Sequence, residues 1–165
     1  MLRFAVPSLP TVMLCVAGLW LVMAAFGTWI PSFVTDRVPK QIIPVTTWLF
    51  QFFGADTTTP ESAERLAPTI KRIAHFFQFI IGLTELIAGV TALAAAAMPR
   101  WRVVLTNFSM GLASGLFGAF MLTMFAIHSK DLPAWNQYPA ILAWFGVTWA
   151  LVMAFPKGQS PQPAA

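Results

Sequence analysis

Four apolar runs divide the chain, and each is long enough, or nearly so, to cross a bilayer as a helix. They cover residues 11–30, 73–98, 103–127 and 140–155, the last being on the short side for a full crossing. A helix needs about 20 consecutive apolar residues to traverse the hydrocarbon core. The turn at residues 99–102 is short, so the second and third helices are predicted to be antiparallel neighbours.

The first two predicted helices are separated by the one substantial loop of the chain, residues 31–72. Within this loop, residues 42–53 are apolar but too few to span a membrane, and Pro44 interrupts them. Such a run indicates an interfacial or re-entrant segment, or a flap over the end of the bundle.

The loop ends in a helix-start pattern, in which Thr59 is the capping residue, Pro60 the first helical residue and Glu61 the acid of the first turn. The whole pattern predicts an all-α fold, an integral membrane four-helix bundle with a long loop between helices 1 and 2. This bundle forms a single domain over residues 1–155. A disordered polar tail is predicted for residues 156–165.

Composition excludes a water-soluble protein. The 165 residues are 58% hydrophobic and 10% charged, with a mean hydropathy of +0.71, whereas a soluble domain carries about 25% charged residues. The single cysteine, Cys15, excludes an intramolecular disulfide and any cysteine-held metal cluster.

The net charge of +4 does not indicate nucleic acid, because the basic residues are spread over loops and ends. An anionic lipid surface is the expected partner. The short turn at 99–102 carries basic residues and no acid, and the same is true of the chain ends around Arg3 and Lys157. The positive-inside rule therefore favours a multi-pass protein with both termini in the cytoplasm.

One polar stripe marks the second predicted helix. His75, Gln78, Gly82, Glu85 and Gly89 recur at steps of three and four, which places them on one face. Glu85 lies near the middle of the span, where a charge costs roughly 2.5–3.5 kcal/mol, so it is expected to face protein, water or a ligand. Two interpretations stay open: a ligand-binding or proton-handling group, or a hydrogen-bonded structural contact between helices.

Counting outward from the turn at 99–102 predicts which residues share a depth. Ser114 comes level with Glu85, and His75 comes level with His128 at the other end of the same helices. Ligand-binding or proton-handling roles are therefore predicted for Glu85, Ser114, His75, Gln78 and His128. Trp20 and Trp144 are candidates for the wall of a pocket around Glu85.

The two histidines suggest axial haem ligands or a metal pair, but they lack a third ligand and a signature spacing. Interfacial polar residues are the favoured interpretation, so no metal site is predicted and haem is not favoured. The chain shows no nucleophile–His–Asp set, no HExxH and no phosphate-binding glycine loop, and no catalytic residue is assigned.

Three stretches resemble the DoxX-like family of small four-helix bacterial membrane proteins. They are Phe26-Gly27-Thr28-Trp29, Glu85-Leu86-Ile87-Ala88-Gly89 and the run from Gly118 to His128. The resemblance implies a protein of the cell inner membrane that serves as an accessory or quinone-linked subunit of a membrane oxidoreductase system, with a quinone as the candidate ligand. Glu85, Gly89 and His128 are the residues that match the family's motifs.

Two other functions remain open. One is a small proton-coupled transporter that acts as an oligomer, and the other is a purely structural or assembly subunit. Small residues in the third predicted helix allow close helix approach, so a membrane protein partner or self-association through this helix is expected. These residues are Gly111, Ser114, Gly115 and Gly118.

Overall fold

The protein is all-helical in the part of the chain that the computed structural model describes, which comprises residues 8–35, 37–38, 42–128 and 133–155. Five α-helices follow one another, with a single π-helical turn at Pro133–Gln137 before the last. They are α1 Leu9–Thr35, α2 Ile42–Phe52, α3 Pro60–Ala97, α4 Arg102–Ala126 and α5 Tyr138–Ala154. No strand occurs in these residues, which confirms the all-α prediction.

Four of the helical segments are long and apolar enough to cross a membrane, as the sequence predicts. They are Leu9–Ser32, Pro60–Ala97, Arg102–Ala126 and Trp135–Ala154. The protein is therefore a multi-pass membrane protein. The predicted tail at residues 156–165 lies outside the described residues.

The predicted long loop between the first two spans is wrong. Residues 42–52 form α2, and residues 60–72 form the first part of α3, so the connection between α2 and α3 is only 53–59. Thr59 caps α3 by accepting a hydrogen bond from the backbone N–H of Ser62. Pro60 and Glu61 occupy the first turn, where a proline and an acid are favourable. The cap that the sequence shows therefore begins the spanning helix itself.

Two prolines lie inside continuous helices. The sequence predicts that Pro31 closes the first helix, but α1 continues to Thr35. It also predicts that Pro68 restarts or kinks the helix begun at Thr59, just before the second span, but α3 continues through Pro68. A proline removes one backbone donor, which neighbouring groups in a membrane helix can compensate. Pro44 lies in the first turn of α2, where its missing N–H has no helical partner to lose.

α3 is the central helix of the bundle, packing against α1, α4 and α2. Its 38 residues give a length of about 57 Å, nearly twice the roughly 30 Å of a hydrocarbon core. Lys71 and Arg72 are exposed and end the charged segment 60–72 that precedes its apolar part. The N-terminal third of α3 therefore extends beyond the span.

α1 and α3 approach so closely that glycine is required where they cross. A Cβ atom on Gly89 would lie 2.9 Å from the carbonyl oxygen of Gly18, and one on Gly18 would lie 2.9 Å from that of Gly89. Ala92 and Ala95 follow Gly89 toward the turn, and together with Ala88, Leu14 and other apolar side chains they form the core. Small residues at a membrane helix interface allow such backbone approach.

The glycines of α4 do not serve this purpose within the chain. A Cβ atom added to Gly111, Gly115 or Gly118 would meet no described atom within 4 Å. The buried face of α4 is formed instead by Thr106, Ser109, Met110, Ala113 and Phe117. The glycine side of α4 thus lies on the surface of the bundle, and its contact with a partner stays a prediction.

A buried arginine joins the helix ends at the 99–102 turn. Arg102 is 4% exposed, and its guanidinium donates hydrogen bonds to the carbonyl oxygens of Ala95 and Ala96 and to the Thr11 hydroxyl. The last carbonyls of a helix lack intrahelical donors and attract positive charge. Arg102 therefore caps α3 and fastens it to the start of α1.

Candidate functional site: an intramembrane cavity beside Glu85

The described helices line a cavity of about 300 Å³ that is open on one side. It is bounded by α1, α2, α3, α4 and Tyr138 at the start of α5, and its lining is mostly aliphatic and aromatic. The lining residues are Thr28, Ile42, Val45, Leu49, Phe77, Ile80, Ile81, Glu85, Leu116, Phe117, Ala119, Phe120, Thr123, Met124 and Tyr138. Small-molecule sites have this character, an apolar enclosure with a few polar groups.

Glu85 supplies the only acidic side chain of the described lining. The residue is 5% exposed, and its Oε2 accepts a 2.8 Å hydrogen bond from the Thr28 hydroxyl. Its other oxygen, Oε1, has no hydrogen-bond partner in the described part of the chain. A carboxyl group in the membrane interior thus has one oxygen held by α1 and one available to an occupant of the cavity.

Aromatic rings form one wall of the cavity. The ring of Phe120 stacks on Tyr138 with centroids 6.0 Å apart and planes at 23°, and Phe117 lies 5.8 Å from Tyr138. Trp20 and Trp144, the predicted wall residues, are not on the lining. Trp20 packs 5.7 Å from Phe117, so the tryptophans support the wall from behind.

The short helix α2 closes one side of the cavity. Ile42, Val45 and Leu49 share one face of this helix, and all three line the cavity. From the sequence, three interpretations of this segment are possible: an interfacial segment, a re-entrant segment or a flap. In the structure it packs against α3 as a wall of the site.

Polar side chains continue from Glu85 along the α1–α3 interface. Gln78 is fully buried, and its Nε2 donates to the backbone oxygen of Thr28. One turn further, His75 Nδ1 and the Ser32 hydroxyl are 2.8 Å apart and hydrogen bonded. We call Ser32, His75, Gln78 and Thr28 the polar seam.

The predicted stripe on α3 is therefore largely an interface with α1. Gln78, Gly82, Glu85 and Gly89 are buried, and His75 is half-buried. Gly82 leaves room for the Trp29 indole, whose Nε1 donates to the backbone oxygen of Phe79. The structure brings Glu85, Gln78 and His75 together along one seam.

Ser114 and His128 lie apart from this group. The Ser109 hydroxyl donates to the Ala88 carbonyl at 2.7 Å, which sets the relative depth of α4 and α3 and puts Glu85 level with Leu112. Ser114 is two residues from this level and does not line the cavity. His128 is exposed at the end of α4 with a φ of 51°. Their predicted roles therefore have no contact with Glu85 to support them.

Thr28 is the site residue that the sequence analysis does not single out, although it belongs to the 26–29 stretch that carries the family resemblance. The described residues contain no group of three or more His, Cys, Asp or Glu side chains that could hold a metal ion. Comparisons with protein-family models, with curated proteins and with solved structures find no match, and the resemblance to the DoxX-like family stays a prediction.

Proposed function

We propose that this chain is a DoxX-like protein of the bacterial inner membrane that binds a quinone-like molecule in the cavity beside Glu85. In this proposal it serves as an accessory, quinone-linked subunit of a membrane oxidoreductase system, with both termini in the cytoplasm. The observation that carries the proposal is a carboxyl oxygen with no hydrogen-bond partner among the described residues, at the edge of an apolar, aromatic-walled cavity.

The chemistry of the cavity suits a ring that carries carbonyl or hydroxyl groups. A protonated Glu85 donates to a quinone carbonyl, and an ionised Glu85 accepts from a quinol hydroxyl, so one side chain can bind both forms. The stacked rings of Phe120 and Tyr138 offer a flat apolar surface to the ring. The volume of about 300 Å³ lies at the lower end of the range for small-molecule sites.

Access from the bilayer is consistent with such a ligand. Ile80 on α3 and Ala119 on α4 both line the cavity and are both exposed at the surface of the bundle. A prenyl tail can leave the cavity between these helices and remain in lipid while the ring occupies the site.

Quinone binding is tested directly with the purified protein in detergent micelles and a short-chain ubiquinone. Glu85→Leu is expected to weaken binding about 10- to 100-fold, the equivalent of one hydrogen bond to a charged or strongly polar group. Ala119→Phe is expected to abolish binding by filling the cavity. Glu64→Leu and Ala143→Phe make the same changes on exposed positions away from the lining and are the matched controls. Equal affinity in Glu85→Leu and Glu64→Leu refutes the site.

The subunit role is tested in native membranes. A tagged chain is expected to co-purify with a protein whose absorption spectrum shows a redox cofactor. Gly115→Leu should reduce recovery if the exposed glycine side of α4 is the contact, because leucine prevents close helix approach. Ala143→Leu on α5 is the control. Recovery of the chain alone contradicts the subunit role and leaves the quinone-binding result to stand by itself.

A further inference from the structure

The polar seam lies between the cavity and the end of the bundle at which α3 carries its charges. From Glu85 to His75 the rise along α3 is about 15 Å. His75 follows the exposed residue Arg72 by less than one turn. The seam thus extends from the membrane interior to the charged end of the span.

Gln78 is the critical member of the seam because it is fully buried and incompletely satisfied. Its Nε2 donates to the Thr28 carbonyl, which fixes the orientation of the amide. Its Oε1 then has no hydrogen-bond partner in the described residues. Buried acceptors of this kind usually bind an internal water.

The aromatic side chain of Trp29 covers the seam between Gln78 and Glu85. Its indole occupies the space above Gly82, where a Cβ atom would clash with it, and its Nε1 is bonded to Phe79. The ring stacks on Phe79 with centroids 6.0 Å apart. Trp29 therefore separates this part of the interface from lipid.

We propose that the polar seam conducts protons between the charged end of α3 and Glu85. A proton bound by the His75 imidazole passes to a water held at Gln78 Oε1. From there the Thr28 hydroxyl accepts a proton on its oxygen and releases its own hydrogen to Glu85 Oε2. Gln78 holds the water and keeps its own protons. The inference rests on the proposed function in that Glu85 is the group that meets the ligand.

Hydrogen–deuterium exchange of the Glu85 carboxyl measures this path without a ligand. The protein is reconstituted in phosphatidylcholine nanodiscs and transferred to D₂O at a pH at which its protonated C=O infrared band is present. The band is identified by its loss in Glu85→Gln. Gln78→Leu is expected to slow exchange about tenfold, the factor that corresponds to losing one hydrogen-bonded link. His75→Phe is expected to act in the same direction.

Thr148→Val is the matched control, since it removes a buried hydroxyl on α5 that bonds its own helix at Trp144. Wild-type exchange rates in Gln78→Leu show that protons reach Glu85 through the cavity, and this overturns the proposal. If Gln78→Leu does not fold by circular dichroism, His75→Phe decides by the same criterion. Short-chain ubiquinone binding is measured in parallel. If Gln78→Leu slows exchange but the wild-type protein binds no quinone, proton conduction along the polar seam is supported and the proposed quinone-binding function is rejected.

Discussion

Gly89→Ala adds one methyl group at the closest approach of two helices. The new Cβ atom would lie 2.9 Å from the Gly18 carbonyl oxygen and 2.9 Å from Val22 Cγ2 and the Val22 backbone nitrogen. Ordinary van der Waals contact begins at 3.4 Å, so α1 and α3 must separate by about 0.5 Å. Two of the three neighbours are backbone atoms, which cannot move by a change of rotamer.

Overpacking of this kind costs about 1–3 kcal/mol. Alanine also stabilises a helix by roughly 0.5–1 kcal/mol relative to glycine, which offsets part of the loss. Gly111→Ala on α4 makes the same chemical change where the added Cβ atom meets no described atom within 4 Å. This variant should therefore gain helix propensity without a packing cost. Subtracting the change in the free energy of unfolding of Gly111→Ala from that of Gly89→Ala cancels the contribution of helix propensity. The remainder is the packing cost of about 1–3 kcal/mol.

The assay is unfolding in mixed micelles with increasing SDS, followed by far-ultraviolet circular dichroism. Gly89→Ala is expected to unfold at lower SDS than the wild type, and Gly111→Ala at equal or higher SDS. The gap corresponds to about a tenfold change in the unfolding equilibrium for each 1.4 kcal/mol. Equal midpoints for the two variants, or a more stable Gly89→Ala, would refute the close α1–α3 contact.

Two further predictions concern charged groups outside the cavity. Arg102→Leu is expected to lower the free energy of unfolding by about 1.5–3 kcal/mol, because the carbonyls that the guanidinium caps lose a charged donor. Arg100→Leu, at an exposed neighbour, should change it by less than about 0.5 kcal/mol in the same SDS titration. The Thr58 hydroxyl and then its backbone N–H donate to Asp56 and lower the pKa of that carboxyl, so Thr58→Ala should raise the pKa toward its ordinary value in an NMR titration. The order that these bonds give to residues 56–58 is present above the ordinary carboxyl pKa and is lost as the pH falls through the lowered pKa of Asp56. An unchanged Asp56 pKa in Thr58→Ala would contradict the conclusion that Thr58 lowers it.

The helices could be predicted from composition and length, since a lipid environment allows few alternatives to an apolar helix. The prolines misled the prediction of helix ends. A rule from soluble proteins ends a helix near Pro31, but α1 continues to Thr35. The cap at Thr59 was visible in the sequence, yet its helix merged with the next span because Pro68 did not interrupt it.

The site residues were predictable only where their relation depends on the spacing within a single helix. The spacing of Gln78 and Glu85 on α3 is an internal property of that helix, and the structure buries both. The partners of Glu85 depend on which helix packs there and at what rotation. Counting residues across the turn gave the depth of Ser114 within two residues but not its direction, and it gave no access to Thr28, which lies across a different interface.

The two ends of the α1–α3 pair are fastened by different chemistry. At one end a single guanidinium ties the start of α1 to the last carbonyls of α3 and, through its own backbone, to the start of α4. The cavity lies toward the opposite end, where apolar contacts with α2 close it. The α1–α3 pair is therefore held at both ends, by one charged side chain near the 99–102 turn and by the hydrogen bonds of Thr28 and Ser32 at the other. A ligand that enters between α3 and α4 need not separate α1 from α3.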